Sequence, residues 1–155
     1  QSKGFDMLGL DADAAGIELA RKSGTGARFF HLGLYDSPEP IGPLGFDAAI
    51  STEVVEHLFE PRALPRFASR VLKPGGQLIV STPYHGWLKN TLISASGKWD
   101  RHHNPMRDGG HIQFWSRVTL NRVFDDCGFT PERFIGAGRI PFLWKSMIVS
   151  GKLRS

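Results

Sequence analysis

An α/β domain with a largely parallel sheet and crossover helices is the fold class this sequence predicts. Three observations predict it. Short apolar runs alternate with stretches of helical period over most of the chain. Proline- and glycine-rich stretches such as "DSPEPIGPLG" and "KPGG" separate some of them. Polar or acidic groups also follow four of the runs, at Asp11, Leu34–Tyr35, Ser51–Glu53 and Thr82–His85. Ligands bind outside the carboxyl ends of the strands in open α/β sheets, so four such ends predict a site.

The elements follow in order. "FDMLGLD", Phe5 to Asp11, is an apolar run ending in an acid and predicts a buried strand. "ADAAGIELARKSG" spaces Ala, Ile and Leu for a helix, with Asp13 as its N-cap. "ARFFHLGLY" predicts a second strand. "DSPEPIGPLG" holds three prolines and two glycines and predicts a loop. "FDAAIS" predicts a third strand, and "EVVEHL" opens a short helix. "EPRALPRFASRVL" continues as a helix with Pro61 near its first turn. "KPGG" predicts a turn and "QLIVSTP" a fourth strand. The stretch from Tyr84 to His111 is long and irregular, and such loops in compact domains are usually lids or binding elements. A lid over 84–115 is therefore expected. "SRVTLNRVFDDCG" is an amphipathic helix with Ser116 as N-cap and Gly128 just past its end. "ERFIGAG" and "SMIVSGK" predict two closing strands.

Composition bounds the classes. The 155 residues make one domain, 41% hydrophobic and 22% charged, so a core is affordable and a disordered tail is excluded. Lys and Arg number 19 against 15 acids. That mild excess permits an anionic substrate or a nucleic acid and requires neither, and a nucleic-acid binder usually carries a denser basic stripe. The single cysteine, Cys127, permits no internal disulfide, which suits a reducing, cytoplasmic compartment. No apolar run is long enough to span a membrane, and the first residues lack a basic region followed by an apolar block. Nothing in the composition specifies an oligomeric state.

"GLDADAAGIELARK", "FDAAISTEVVEHL", "VLKPGGQLIVSTP" and the Gly128–Phe129 turn resemble, in this order, class I S-adenosylmethionine-dependent methyltransferases. The resemblance implies a Rossmann-like, mostly parallel sheet with flanking helices. It implies roles residue by residue. Asp11 would accept hydrogen bonds from both ribose hydroxyls of the cofactor, as a carboxylate's two oxygens can. Ala12 would lie by the adenine edge. Leu34 stands where many relatives have an acid, and the backbone N–H of Tyr35 would serve the adenine ring instead. Ser51 would lie near the methionine part. The family's first strand and Gly-rich turn lie upstream of "GFDMLGLD" in relatives. The expectation is therefore an N-terminally truncated domain with its first strand missing.

"STEVVEHL" carries the chemistry. On a helix, Glu53, Glu56 and His57 at i, i+3 and i+4 share one side. Carboxylate oxygen with imidazole nitrogen suits Mg²⁺, Mn²⁺, Fe²⁺ or Zn²⁺, and His111 is the next candidate ligand. The pattern resembles the ubiquinone-pathway O-methyltransferases and the small-RNA 3′-terminal 2′-O-methyltransferases. The latter are also similar in "STP" after the fourth strand and in a histidine four residues before a tryptophan, here His111 and Trp115. Both branches act on vicinal hydroxyls, so a small-molecule acceptor of that kind is expected. Metal-free relatives also carry a glutamate and a histidine here, where His57 and Glu56 would act as base and pocket wall. Two other readings compete: an inactive binding module on the same fold, and a methyltransferase of an RNA end or of a lipid or polyprenyl substrate. For the last, "HGWLKNTLISASGKW" offers tryptophans and lysines to a membrane surface.

Overall fold

The structure is a computed structural model that describes residues 4–42 and 45–155. The chain forms two compact units, Gln1–Pro43 and Leu44–Ser155. The α/β class expected from the alternation of elements is the one observed.

In the first unit, β1 (Leu8–Asp11) pairs in parallel with β2 (Arg28–His31), Leu8 opposite Arg28 and Asp11 opposite His31. Helix α1 (Ala14–Lys22) makes the crossover. Asp13 caps it as expected, its carboxylate accepting from the N–H groups of Ala15 and Gly16 at 3.1 Å each. That satisfies two of the helix's orphan donors. Ile17 is its buried residue. The Arg21 guanidinium donates to the Phe29 carbonyl at 2.8 Å, tying helix to strand. A 3-10 turn, Glu39–Ile41, falls in the proline-rich stretch and buries Ile41. Among the described residues, β2 is the only strand paired with β1.

The second unit has a four-stranded sheet in the order β3-β4-β6-β5. Strands β3 (Phe46–Thr52) and β4 (Leu72–Pro83) are parallel, linked by α2 (Ala63–Val71). Strands β5 (Phe129–Ala137) and β6 (Ser146–Leu153) pair antiparallel with each other, and β6 pairs antiparallel with β4. The parallel reading thus holds for β1–β2 and β3–β4. The closing strands depart from it because the short "GRIPFLWK" connection returns the chain directly, whereas a parallel neighbour needs a longer crossover.

One face of this sheet presents Leu78, Val80, Thr82, Met147 and Val149, all fully buried. Helix α5 (Arg117–Asp126) adds Leu120, Val123 and Phe124. Burying each such side chain is worth about 1.5–3 kcal/mol. Gly151 permits the close approach of α5, because a Cβ there would stand 2.6 Å from the Phe124 ring. Ser116 and Thr119 form a reciprocal capping box at the start of α5, and Gly128, at φ 88°, leads the chain out of it.

Three local expectations are corrected. "KPGG" lies inside the start of β4, where Gly75 takes φ 77° and the β3–β4 register shifts. The proline in the first turn of α2 is Pro65, with Pro61 before the helix. The 84–115 stretch is not wholly irregular: it contains α3 (Trp87–Ala95) and α4 (Trp99–His102).

Candidate active site

The carboxyl end of β3 does not run into an α-helix. Glu53 takes a left-handed φ of 54°, and only a single 3-10 turn follows at Val55–His57. That breaks the helical spacing assumed for Glu53, Glu56 and His57. The Glu53 N–H donates to the Ser81 carbonyl at 3.0 Å, and the Ser81 hydroxyl donates to the Glu53 carboxylate at 3.1 Å. Glu53 is therefore held along the β3–β4 seam, outside the cluster formed by the other three candidates.

The turn buries Val55 and Glu56 and exposes His57. Glu56 is only 1% exposed. A buried carboxylate requires partners, and it has one: the Thr82 hydroxyl donates to Oε2 at 2.9 Å. Its other oxygen, Oε1, is buried with no partner among the described residues. The Glu56 backbone carbonyl accepts from both Ile112 and Gln113, at 2.9 and 3.0 Å. Those two bonds dock the end of the 84–115 stretch against the turn and deliver His111. The His57 and His111 rings meet edge to face, centroids 4.9 Å apart.

The donor atoms of Glu56, His57 and His111 all lie within 4.8 Å of one another. An ion held at about 2.0–2.2 Å by each requires separations of no more than about 4.4 Å. A few tenths of an ångström of side-chain rotation closes that difference. One carboxylate and two imidazoles make a set for a borderline divalent ion, and the unpartnered Oε1 of Glu56 is the atom such an ion would satisfy.

Around this cluster lies a second group of rings. The His85 N–H of the backbone donates to the Trp115 carbonyl at 2.8 Å. The His85 ring packs on Phe114 at 5.0 Å and on His103 at 5.4 Å, and His103 also meets Trp99 at 4.2 Å. Burial, then the charges of Lys89 and His103, hold the His85 pKa down to about 4. Burial also lowers the pKa of His103. His85 Nδ1, His103 Nε2 and Trp115 Nε1 are buried with no partner among the described residues.

The expected cofactor residues are placed as follows. Asp11 ends β1 exposed, with Oδ1 accepting from the Asp13 N–H at 2.9 Å. The Ala12 carbonyl meets His31 Nε2 at 3.0 Å. Leu34 is half-buried and Tyr35 is 61% exposed, in a turn closed by the Gly33 N–H donating to the Asp36 carboxylate at 2.7 Å. Ser51, in the second unit, lies near the end of β3 with its hydroxyl buried and without a partner among the described residues. Sequence reasoning marks Thr82 as one of the polar strand ends and gives it no role. Its one signal was its place in "STP" at the end of an apolar strand.

The chain resembles known proteins along most of its length. A family described as "Methyltransferase domain" matches residues 1–133. A probable S-adenosylmethionine-dependent methyltransferase of Mycolicibacterium smegmatis is 28% identical over 130 residues, covering 84% of this chain and 46% of that protein. A ubiquinone biosynthesis O-methyltransferase of Thiobacillus denitrificans is 24% identical over 143 residues, covering 84% of this chain and 60% of that protein. The chain thus spans about half the length of these curated relatives. Among solved structures, 1,6-didemethyltoxoflavin-N1-methyltransferase of Burkholderia thailandensis, with bound 1,6-didemethyltoxoflavin and S-adenosylhomocysteine, superposes with a TM-score of 0.70 at 14% identity. The match covers 99% of this chain and 64% of that one. That likeness shows a shared Rossmann-like α/β fold.

Proposed function

The chain belongs to the methyltransferase-domain family, a family of enzymes, and on that premise we propose that it serves S-adenosylmethionine-dependent O-methylation of a small molecule with vicinal hydroxyls. The observation that carries the acceptor class is the convergence of Glu56, His57 and His111, with Glu56 Oε1 buried and unpartnered.

S-adenosylmethionine, when bound, supplies a methyl group on a sulfonium, a good leaving group. Asp11 anchors its ribose through carboxylate lone pairs that the Asp13 N–H leaves open. By the family resemblance, Ala12 and the Leu34–Tyr35 turn serve the adenine and Ser51 the methionine part. A divalent ion, when bound, lowers the pKa of a hydroxyl and fixes two adjacent oxygens. Glu56, His57 and His111 are the residues that would hold it. Thr82 fixes the Glu56 carboxylate so that Oε1 remains the free ligand atom. Where no ion is held, exposed His57 takes the acceptor's proton as general base. In either case the hydroxyl proton leaves, the oxygen–methyl bond forms, and the carbon–sulfur bond breaks with its electron pair going to sulfur. The 84–115 stretch covers the acceptor as a lid and limits water.

The test is methyl transfer from labelled S-adenosylmethionine to catechol. The expected result is transfer that a chelator abolishes and Mg²⁺ or Mn²⁺ restores. Transfer indifferent to the chelator would remove the ion and leave His57 as base. No transfer to any vicinal diol, with transfer to an amine or a single hydroxyl, would overturn the acceptor class.

A further inference from the structure

Helix α3 and the turn joining β5 to β6 border an open groove of about 300 Å³. Its lining is mostly apolar: Leu92, Ile93, Ile140 and Leu143. Two cations, Lys89 and Arg139, also line it. Lys89 is buried, and its ammonium donates to the Tyr84 carbonyl at 2.7 Å. That occupies one of its three N–H donors. Among the described residues, neither Lys89 nor Arg139 has a carboxylate partner.

Two like charges in one apolar groove repel each other, and burial adds a desolvation cost. Burial first, and then the charge of Arg139, hold the Lys89 pKa below its ordinary value. An apolar residue at either position would pack the groove at lower cost. The connecting turn also carries two side-chain-bearing residues in the left-handed region, Arg139 at φ 60° and Phe142 at φ 67°. Such strain persists where the surroundings enforce it. Two of the lining side chains are also open to solvent, Ile140 at 65% and Leu92 at 48% exposure.

We propose that this groove binds a single-chain amphiphile with an acidic head, a carboxylate or a phosphate monoester. The head sits between Lys89 and Arg139, and the chain lies along Leu92, Ile93, Ile140 and Leu143. Charge complementarity selects the head, because an anion there cancels the repulsion between the two cations and takes up the remaining donors of Lys89. The volume, at the low end for ligand pockets, selects one medium-length chain over a two-chain phospholipid. The site is built from residues outside the methyl-transfer cluster, so it stands or falls independently of that reading.

Isothermal titration calorimetry without methyl donor tests it, using monomeric decanoate, decyl phosphate, decanol and decyltrimethylammonium. Decanoate and decyl phosphate should bind saturably. Decanol should bind at least about tenfold more weakly, the scale of hydrogen bonds to a charged group, and the cationic amphiphile should not bind. Arg139→Gln should weaken decanoate about tenfold and leave decanol unchanged, while Ile140→Asp should weaken both. The head-group comparison on the unaltered protein decides the matter even if a variant misfolds. Equal affinity for decanol and decanoate, indifference of decanoate to Arg139→Gln in a folded variant, or association with anionic vesicles in place of monomeric decanoate would each overturn the proposal.

Discussion

The ring of His111 meets the ring of His57 edge to face at 4.9 Å, although α2, β4, α3 and α4 separate them in sequence. The contact is set by backbone: the Glu56 carbonyl accepts from Ile112 and Gln113 and fixes where His111 arrives. We expect Mn²⁺ affinity, measured by calorimetry, to fall at least tenfold in His111→Ala and in Glu56→Gln. Loss even of a residue that only orients a ligand costs about 10–100-fold. Glu53→Gln distinguishes three ligands from four. Unchanged affinity is the expected outcome, and a comparable loss would return Glu53 to the set.

Asp11 is expected to anchor the cofactor. Asp11→Ala should weaken S-adenosylmethionine binding by about 1.5–3 kcal/mol, the scale of hydrogen bonds to a charged group. Asp11→Asn keeps the shape and half the acceptor capacity and should fall between. Titration calorimetry reading the same affinity in all three proteins would end this assignment.

Thr82 holds Glu56 in the core. Thr82→Val preserves shape and removes a hydroxyl that donates to the buried Glu56 carboxylate. Leaving that group unsatisfied should lower unfolding stability by about 1–3 kcal/mol in urea. Thr82→Ser should recover most of the loss. A neutral Thr82→Val would mean that Glu56 draws its support from elsewhere.

What was legible in the sequence, and what was not, follows from the range of the forces involved. Strands β3 and β4 were legible as apolar runs, and Asp13, Ser116 and Gly128 announced their helix ends because capping is local chemistry. The parallel sheet read from the alternation of elements did not anticipate the direction of β5 and β6, which depends on a short return connection. Helix α3 was missed because its apolar residues form no single stripe: Ile93 is buried while Trp87 is 78% exposed. The approach of His111 to His57 was anticipated from His111 being the next candidate ligand after Glu53, Glu56 and His57, with the resemblance in support. The exclusion of Glu53 was not, because a left-handed φ at a glutamate has no composition signal. Thr82 stood among the polar strand ends, but its bond to Glu56 was not legible, because a threonine there is usually no more than a strand residue.

The 84–115 stretch should be the first to be cut by protease. Between α4 and the backbone bonds at Ile112, residues 104–109 are exposed and have no strand or helix to hold them. Proteolysis of native chains follows local opening. Limited trypsin should cleave first after Arg107, and S-adenosylmethionine with a catechol should slow that cut. Early cleavage elsewhere, with Arg107 resistant in the ligand-free chain, would argue against a lid.

His85 is expected to contribute to the acid sensitivity of the fold. Its ring packs between Phe114 and His103, and burial, followed by the charges of Lys89 and His103, lowers its pKa to about 4. In the unfolded chain the same group titrates near 6.5. Between those values the unfolded state binds a proton that the folded state refuses. Stability is therefore fully present above about pH 6.5, falls as pH drops toward 4, and levels off below. At about 1.4 kcal/mol per pH unit the whole window is worth about 3 kcal/mol, which solvent screening of a half-buried ring reduces to on the order of 2 kcal/mol. Urea unfolding from pH 7 to pH 4 should show this drop in the unaltered protein and lack it in His85→Gln. Taking the difference between the two proteins removes the common contribution of the carboxylates. His103, lowered in the same direction by burial and by His102, should contribute a smaller part that His103→Gln removes. Parallel curves for His85→Gln and the unaltered protein would place the acid sensitivity in other groups.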